Sequence, residues 1–200
     1  MSVDAYVRMK TGGMILSDGG GYDHVKGEMN PAIFDEFVGE VLDRDVSPVI
    51  WEPFAGHTGR SATQDFAVSI DGLTVVSFDL QPCDLRVRKA DSTLEGPGRF
   101  VGGVLFHPSY YGSAPFSTNG DVASLLDEGD YKNALGRTVE LVKRSLEPGG
   151  AVCAVGRDYR YGGRRIRLDE WYVDMFEGIG LELYAVWQSE PDVVLVFESR

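Results

Sequence analysis

An open α/β sheet of about seven mostly parallel strands, with helices on both faces, is the fold class that the sequence predicts. Three observations lead there. Short apolar runs alternate with helix-like segments along the chain, and turns rich in Gly, Pro and Asp separate them. Several of the runs are continuously apolar rather than alternating, as strands buried on both faces require. At 200 residues the chain suits one domain spanning 1–200. No internal repeat, low-complexity tract or Ser/Pro/Gly linker divides it.

The elements follow in order. After a Gly-rich opening (GGM, DGGGYDH), Asn30-Pro31 has the form of an N-cap and a first-turn proline. Ile33, Phe34, Phe37, Val38, Val41 and Leu42 then recur at helical spacing, and that helix is expected to end near Asp43. PVIWEPF predicts the first strand, a helix follows from about Arg60 to Ile70, and TVVSFD, VRKAD and VGGVLF predict three more strands. Leu135, Thr138, Val139, Val142 and Leu146 line one helical face, and Pro148-Gly149-Gly150 is expected to stop that helix before the strand AVCAVG. A last helix covers roughly Asp169 to Glu177. LELYAVW and DVVLVFE close the chain as strands, the second antiparallel to its neighbour because only a short turn around Glu190-Pro191-Asp192 joins them.

Composition narrows the class. The chain is 43% hydrophobic and 25% charged, and no apolar run approaches the roughly 18 residues that a bilayer span needs. Asp4 and Arg8 interrupt the apolar core that a signal peptide would require, so a cytoplasmic protein with no membrane partner is expected. Cys83 and Cys153 lack paired spacing and read as separate buried thiols. His24, His57 and His107 show no ligand spacing, and no metal is expected. A net charge of -12 opposes non-specific attraction to nucleic acid, so such a partner needs a local basic patch. Arg157, Arg160, Arg164, Arg165 and Arg167 supply one, with tyrosines interleaved around a Gly-Gly turn.

Ligands of open α/β sheets bind beyond the carboxyl ends of the strands. The first strand runs into Glu52-Pro53-Phe54-Ala55-Gly56-His57-Thr58-Gly59, whose G-x-x-G spacing is neither a Walker A sequence nor G-x-G-x-x-G. The second strand ends on Asp79, where a carboxylate can accept hydrogen bonds from both hydroxyls of a ribose. The next short strand ends on Asp91. Gly56, Gly59, Asp79 and Asp91 together describe an adenosine-type pocket without an evident pyrophosphate cradle.

The series DHVKGEMNPAIFDEFV, WEPFAGHTG, FDLQP, KADS, HPSYYGS and LVKRSLEPGGAVCAVGRDYR resembles the motif order of S-adenosylmethionine-dependent amino-DNA methyltransferases, over roughly residues 22 to 197. The resemblance implies a Rossmann-like class I methyltransferase fold, S-adenosyl-L-methionine as cofactor, and methyl transfer to an exocyclic amine of adenine or cytosine. It implies that Glu52, Phe54, Gly56 and Gly59 bracket the methionine and ribose of the cofactor, that Asp79 holds the ribose, and that Asp91 meets the adenine amine. Lys26 or Asn30 would lie near the methionine carboxylate. His107, Pro108, Ser109 and Tyr110 would form the acceptor loop, with the first side chain and a backbone carbonyl accepting the amine hydrogens and the aromatic stacking on an extruded base. His107 stands where the family has Asp, Asn or Ser, and Ser109 where it has a second proline. Tyr111, Arg157, Arg160, Arg164 and Arg165 would contact DNA, single-stranded DNA or RNA. No block of residues is left for a separate target-recognition domain, so sequence choice would fall to loops 112–130 and 157–167, to a homodimer or to a recognition partner. Two other readings stay open: a methyltransferase acting on RNA or a small molecule, and a non-catalytic subunit that binds nucleic acid or protein.

Overall fold

The computed structural model describes residues 14–15, 31–56, 61–112, 122, 127–189 and 192–200. Lys26, Asn30 and Gly59, along with His24 and His57, lie outside the described residues. The order is β1 (Met14–Ile15), α1 (Pro31–Leu42), β2 (Val49–Glu52), α2 (Ala62–Ala67), β3 (Thr74–Asp79), β4 (Arg88–Lys89) and β5 (Val101–Phe106), followed by α3 (Glu128–Ser145) and β6 (Leu146–Gly156). The chain then runs through β7 (Tyr159–Tyr161), β8 (Arg164–Ile166), α4 (Leu168–Gly178), β9 (Glu182–Ser189) and β10 (Asp192–Glu198). Among the described residues one sheet has the order β1-β9-β10-β6-β5-β2-β3-β4, and β7 and β8 form a separate hairpin. All seven expected strands are present, and β1 adds an edge parallel to β9.

Strict alternation within the central strands builds two cores. Val104 and Phe106 of β5, Val152 and Ala154 of β6, and Leu195 and Phe197 of β10 face Tyr131, Leu135 and Val142 of α3 and Tyr172 and Phe176 of α4. Leu105, Cys153, Val155, Val194 and Val196 point the other way, onto Ile33, Phe34, Phe37, Val38 and Val41 of α1. With both faces covered, these strands need no polar positions. The Gly102-Gly103 pair in β5 lets α1 and its following loop approach: a Cβ on Gly103 would lie 2.7 Å from Val41 Cγ2.

Three sequence expectations are corrected. The helix expected over Arg60 to Ile70 is shortened to α2, because Ser61 caps its start by accepting a hydrogen bond from the Gln64 amide, and a turn begins at Val68. Pro148-Gly149-Gly150 does not stop α3. That helix ends at Ser145, and Leu146 already pairs with Val101, so the Pro-Gly-Gly run opens β6. Cys153 is buried as expected, but Cys83 is exposed, in the loop after β3.

β2, β3, β5 and β6 are parallel neighbours, so their carboxyl ends share one edge. Strand order reverses between β2 and β5, which opens a crevice at that edge. β10 lies antiparallel between β6 and β9, so its first residues return to the same edge.

Candidate functional site

The β2 side of the crevice is built from the sheet register. Glu52 pairs with Ser77, and beyond it the Ala55 amide donates to the Phe78 carbonyl at 2.9 Å. Gly56, at φ 78°, is thereby held beside Asp79. A side chain at this left-handed position would be strained, so glycine leaves the backbone bare at the carboxyl end of β2. Asp79 Oδ1 accepts the Gln81 amide at 2.6 Å. Phe54 is half-buried and meets Phe106 edge-on at 5.4 Å, joining the ends of β2 and β5 across the switch.

Glu52 lies deeper than a ligand contact would. It is 4% exposed, and its two oxygens accept the Thr63 hydroxyl at 2.6 Å and the Ser77 hydroxyl at 2.7 Å. Burial raises its pKa, the two hydroxyls oppose that, and the Asp79 charge adds to it. The carboxyl therefore ties α2 to β2 and β3. Asp91 accepts the amide and hydroxyl of Thr93 on one oxygen, 2.9 and 2.7 Å away, and so shapes the turn after β4. Sequence reasoning missed Asp84. It accepts the Ser61 amide at 3.0 Å and pairs with Arg86, which also reaches Asp65 at 2.7 Å, so the loop after β3 is pinned to the start of α2. These hydrogen bonds from Arg86 and Ser61 hold the Asp84 carboxyl well below its usual range.

His107 to Gly112 form the loop after β5. Tyr131 of α3 donates its hydroxyl to the Ser109 carbonyl at 3.0 Å, and Tyr159 of β7 donates to the Tyr111 carbonyl at 2.7 Å. Tyr110 stacks on Tyr159 at 5.6 Å and donates to Asp192 Oδ1 at 3.3 Å. The Arg157 guanidinium lies over the Tyr110 ring at 5.3 Å, with its Nε 3.7 Å from the same Asp192 oxygen. Gly112 has φ 65°, and the Tyr161 ring fills the space where a side chain would start. Two groups of the loop are uncommitted. Among the described residues, neither the His107 imidazole nor the Pro108 carbonyl makes a hydrogen bond. Burial lowers the His107 pKa, Asp192 raises it and Arg157 lowers it further, so the net direction is down and the ring is neutral near pH 7.

Two proposed contacts change meaning. Tyr111 is 8% exposed and packs against Tyr131 and Tyr161, so its ring belongs to the core rather than to a surface that could stack on a base. Tyr110 carries a stacked ring and a guanidinium. The arginines stand around the β7–β8 hairpin beside the loop, but most are paired: Arg164 with Glu128 at 3.3 Å, Arg165 with Asp158 at 2.6 Å, and Arg157 with Asp192. Among the described residues Arg160 has no such partner. Exposed pairs of this kind are worth about 0–1 kcal/mol, which a phosphate can replace.

Solved structures share this architecture. The Burkholderia thailandensis 1,6-didemethyltoxoflavin-N1-methyltransferase, solved with 1,6-didemethyltoxoflavin and S-adenosylhomocysteine, is 14% identical at a TM-score of 0.57, over 85% of this chain and 78% of that one. TrmN from Thermus thermophilus is 16% identical at a TM-score of 0.57, and the match spans 88% of this chain but only 50% of TrmN. A putative rRNA-methylase from Clostridium thermocellum is 16% identical at a TM-score of 0.51, over 88% of this chain and all of that one. The fold is that of the class I methyltransferases. Neither a family model nor a curated protein matches the chain. In the class I methyltransferase fold seen here, Gly56 and Asp79 stand on one side of the switch and His107 on the other. No helix among the described residues is long and apolar enough to cross a membrane, and they contain no cluster of His, Cys, Asp and Glu suited to a metal.

Proposed function

We propose that the protein is an S-adenosylmethionine-dependent methyltransferase acting on the exocyclic amine of a nucleobase. The observation that carries this reading is the pair of uncommitted acceptors, the His107 imidazole and the Pro108 carbonyl, at the carboxyl edge of a class I methyltransferase sheet. The other half of the crevice suits the cofactor: bare backbone at Gly56 and a carboxylate at Asp79 on the neighbouring strand. When bound, S-adenosylmethionine supplies an electrophilic methyl group. Asp79 would accept hydrogen bonds from its ribose, and Phe54, packed edge-on against Phe106, would close the apolar side.

An exocyclic amine is a weak nucleophile because its lone pair is delocalised into the ring. His107 and the Pro108 carbonyl would each accept a hydrogen bond from one of its N–H groups, turning the nitrogen lone pair out of the ring plane; as the N–CH3 bond formed the donor's S–CH3 bond would break, and the one surplus amine proton would leave along the hydrogen bond to His107. Neutral imidazole has one acceptor nitrogen, which protonation would remove. The depressed pKa of His107 keeps that nitrogen available at neutral pH. Arg160, together with Arg164 and Arg165 exchanged from their carboxylates, holds the phosphates, and a homodimer or partner subunit supplies sequence choice.

The internal pairing of Arg157, Arg164 and Arg165 favours a second reading, in which the acceptor is a small ring or a short RNA segment rather than duplex DNA. Incubation with labelled S-adenosylmethionine and duplex DNA, single-stranded DNA, RNA or free heteroaromatic amines separates the readings. Nucleoside analysis is expected to find N6-methyladenine or N4-methylcytosine. Label carried only by the free amines would replace the nucleobase with a small molecule.

A further inference from the structure

Asp192 reaches the acceptor loop from the far end of the sequence. Because β10 is antiparallel to β6, its second residue Val193 pairs with Gly156, and Asp192 sits next to Arg157 at the edge where the parallel strands end. The Asp192 carboxylate takes the Tyr110 hydroxyl at 3.3 Å and faces Arg157 Nε at 3.7 Å, while Arg157 covers the Tyr110 ring. The Tyr110 ring in turn lies 6.0 Å from the His107 ring, at 63°. Asp192 and Arg157, from two separate segments, meet at the Tyr110 ring, which borders His107.

We propose that Asp192 and Arg157 are a positioning pair of the acceptor site, fixing the Tyr110 ring beside His107 and placing one charge of each sign next to the imidazole. The inference rests on the methyl-transfer reading and deepens it. The groups around the His107–Tyr110 pair are Asp192 from β10, Arg157 after β6, Tyr159 from β7 and Tyr172 from α4, the last with its hydroxyl buried and without a partner. Of these only Asp192 and Arg157 carry charge at neutral pH. They act on the imidazole in opposite senses, since the carboxylate favours its protonated form and the guanidinium opposes it. His107 stands at the position where the amino-DNA methyltransferases that the chain resembles have Asp, Asn or Ser, and β10 brings a carboxylate to the same edge. Tyr110 links the two, donating to the carboxylate while its ring borders the histidine.

The opposite signs give a test that a merely structural role would not pass. The His107 ring is followed by NMR titration in wild-type protein, Asp192→Asn and Arg157→Gln, with His107→Gln assigning its signal among the three histidines. Asp192→Asn is expected to move the His107 midpoint to lower pH and Arg157→Gln to move it to higher pH. Tyr110→Phe, which keeps the ring and loses the hydroxyl, should leave the midpoint nearly in place. In methyl transfer, Asp192→Asn and Tyr110→Phe should each lower kcat/KM for the acceptor about tenfold, the worth of one hydrogen bond to a charged group, with cofactor affinity retained. Midpoints that stay fixed, or that move the same way in both charge variants, overturn the proposal. Arg157 is part-exposed, so its variant decides the matter even if Asp192→Asn fails to fold. The titration needs no turnover: opposed midpoint shifts in a protein that binds no S-adenosylmethionine would sink the methyltransferase reading while leaving the charge pair standing.

Discussion

Two tyrosine hydroxyls clasp the acceptor loop, and they should not contribute equally. Tyr131 is fully buried in the core between α3 and the loop, and its hydroxyl satisfies the Ser109 carbonyl at 3.0 Å. Replacing it with Phe removes one hydrogen bond and leaves a carbonyl whose access to water is partial, a loss of about 1 to 2 kcal/mol. Tyr159 is only half-buried, and its bond to the Tyr111 carbonyl at 2.7 Å lies beside solvent. Water can replace it, so Tyr159→Phe should cost about 0.5 to 1 kcal/mol. For a chain of this size each kcal/mol lowers Tm by about 2 to 4 °C. Urea denaturation measures both variants, with the slope unchanged if only the folded state is affected. A Tyr131→Phe protein as stable as wild type, or less harmed than Tyr159→Phe, would refute the view that the loop is held from the α3 side.

Other outcomes follow from the same geometry. His107→Ala should slow methyl transfer by something like 10²-fold, as removal of one preorganised hydrogen-bonding group does, and should abolish an acid limb that in wild type lies below the ordinary histidine range; an unchanged limb would assign it elsewhere. Because folding depresses the His107 pKa, the folded state binds fewer protons than the unfolded one as pH falls below about 6.5; wild type should therefore lose stability through that window, and the variant should lose less. Asp169, pushed up to about 6 by burial and by the adjacent Asp158, behaves in the opposite sense. Its contribution is present at low pH and lost as pH rises toward 6, so Asp169→Asn should gain about 1 to 2 kcal/mol at pH 7.5 and nothing at pH 4, as chemical denaturation at the two pH values would show. Gly112→Ala combines a left-handed φ of 65° with a collision against the Tyr161 ring, so it should detach the β7–β8 hairpin from the loop, seen as faster amide exchange in both.

Much of this was legible in the residues. The central strands could be read because burial on both faces makes them continuously apolar, as in VGGVLF and AVCAVG, and the helix faces because α1 and α3 each present one stripe to the sheet. Asp79 and His107 could be placed because parallel strands bring their ends to one edge. Asp192 was hidden in what reads as a turn, although an antiparallel last strand must start at that edge, and this was the available signal. The neutralisation of the arginines was not legible, since α3, β6 and β7 separate Glu128 from Arg164, and β7, β8, α4 and β9 separate Arg157 from Asp192. Pro148-Gly149-Gly150 misled because the same residues that end a helix also tolerate the irregular start of a strand, where Gly149 adopts φ 78°.

Calorimetric titration of the protein with S-adenosyl-L-methionine tests the central claim most directly. Wild-type protein is expected to bind one equivalent, and Asp79→Ala to bind about 10 to 100-fold more weakly, the worth of a charged hydrogen bond to the ribose. A wild-type protein that releases no heat at millimolar cofactor would contradict the account, and so would an Asp79→Ala protein that binds as tightly as wild type.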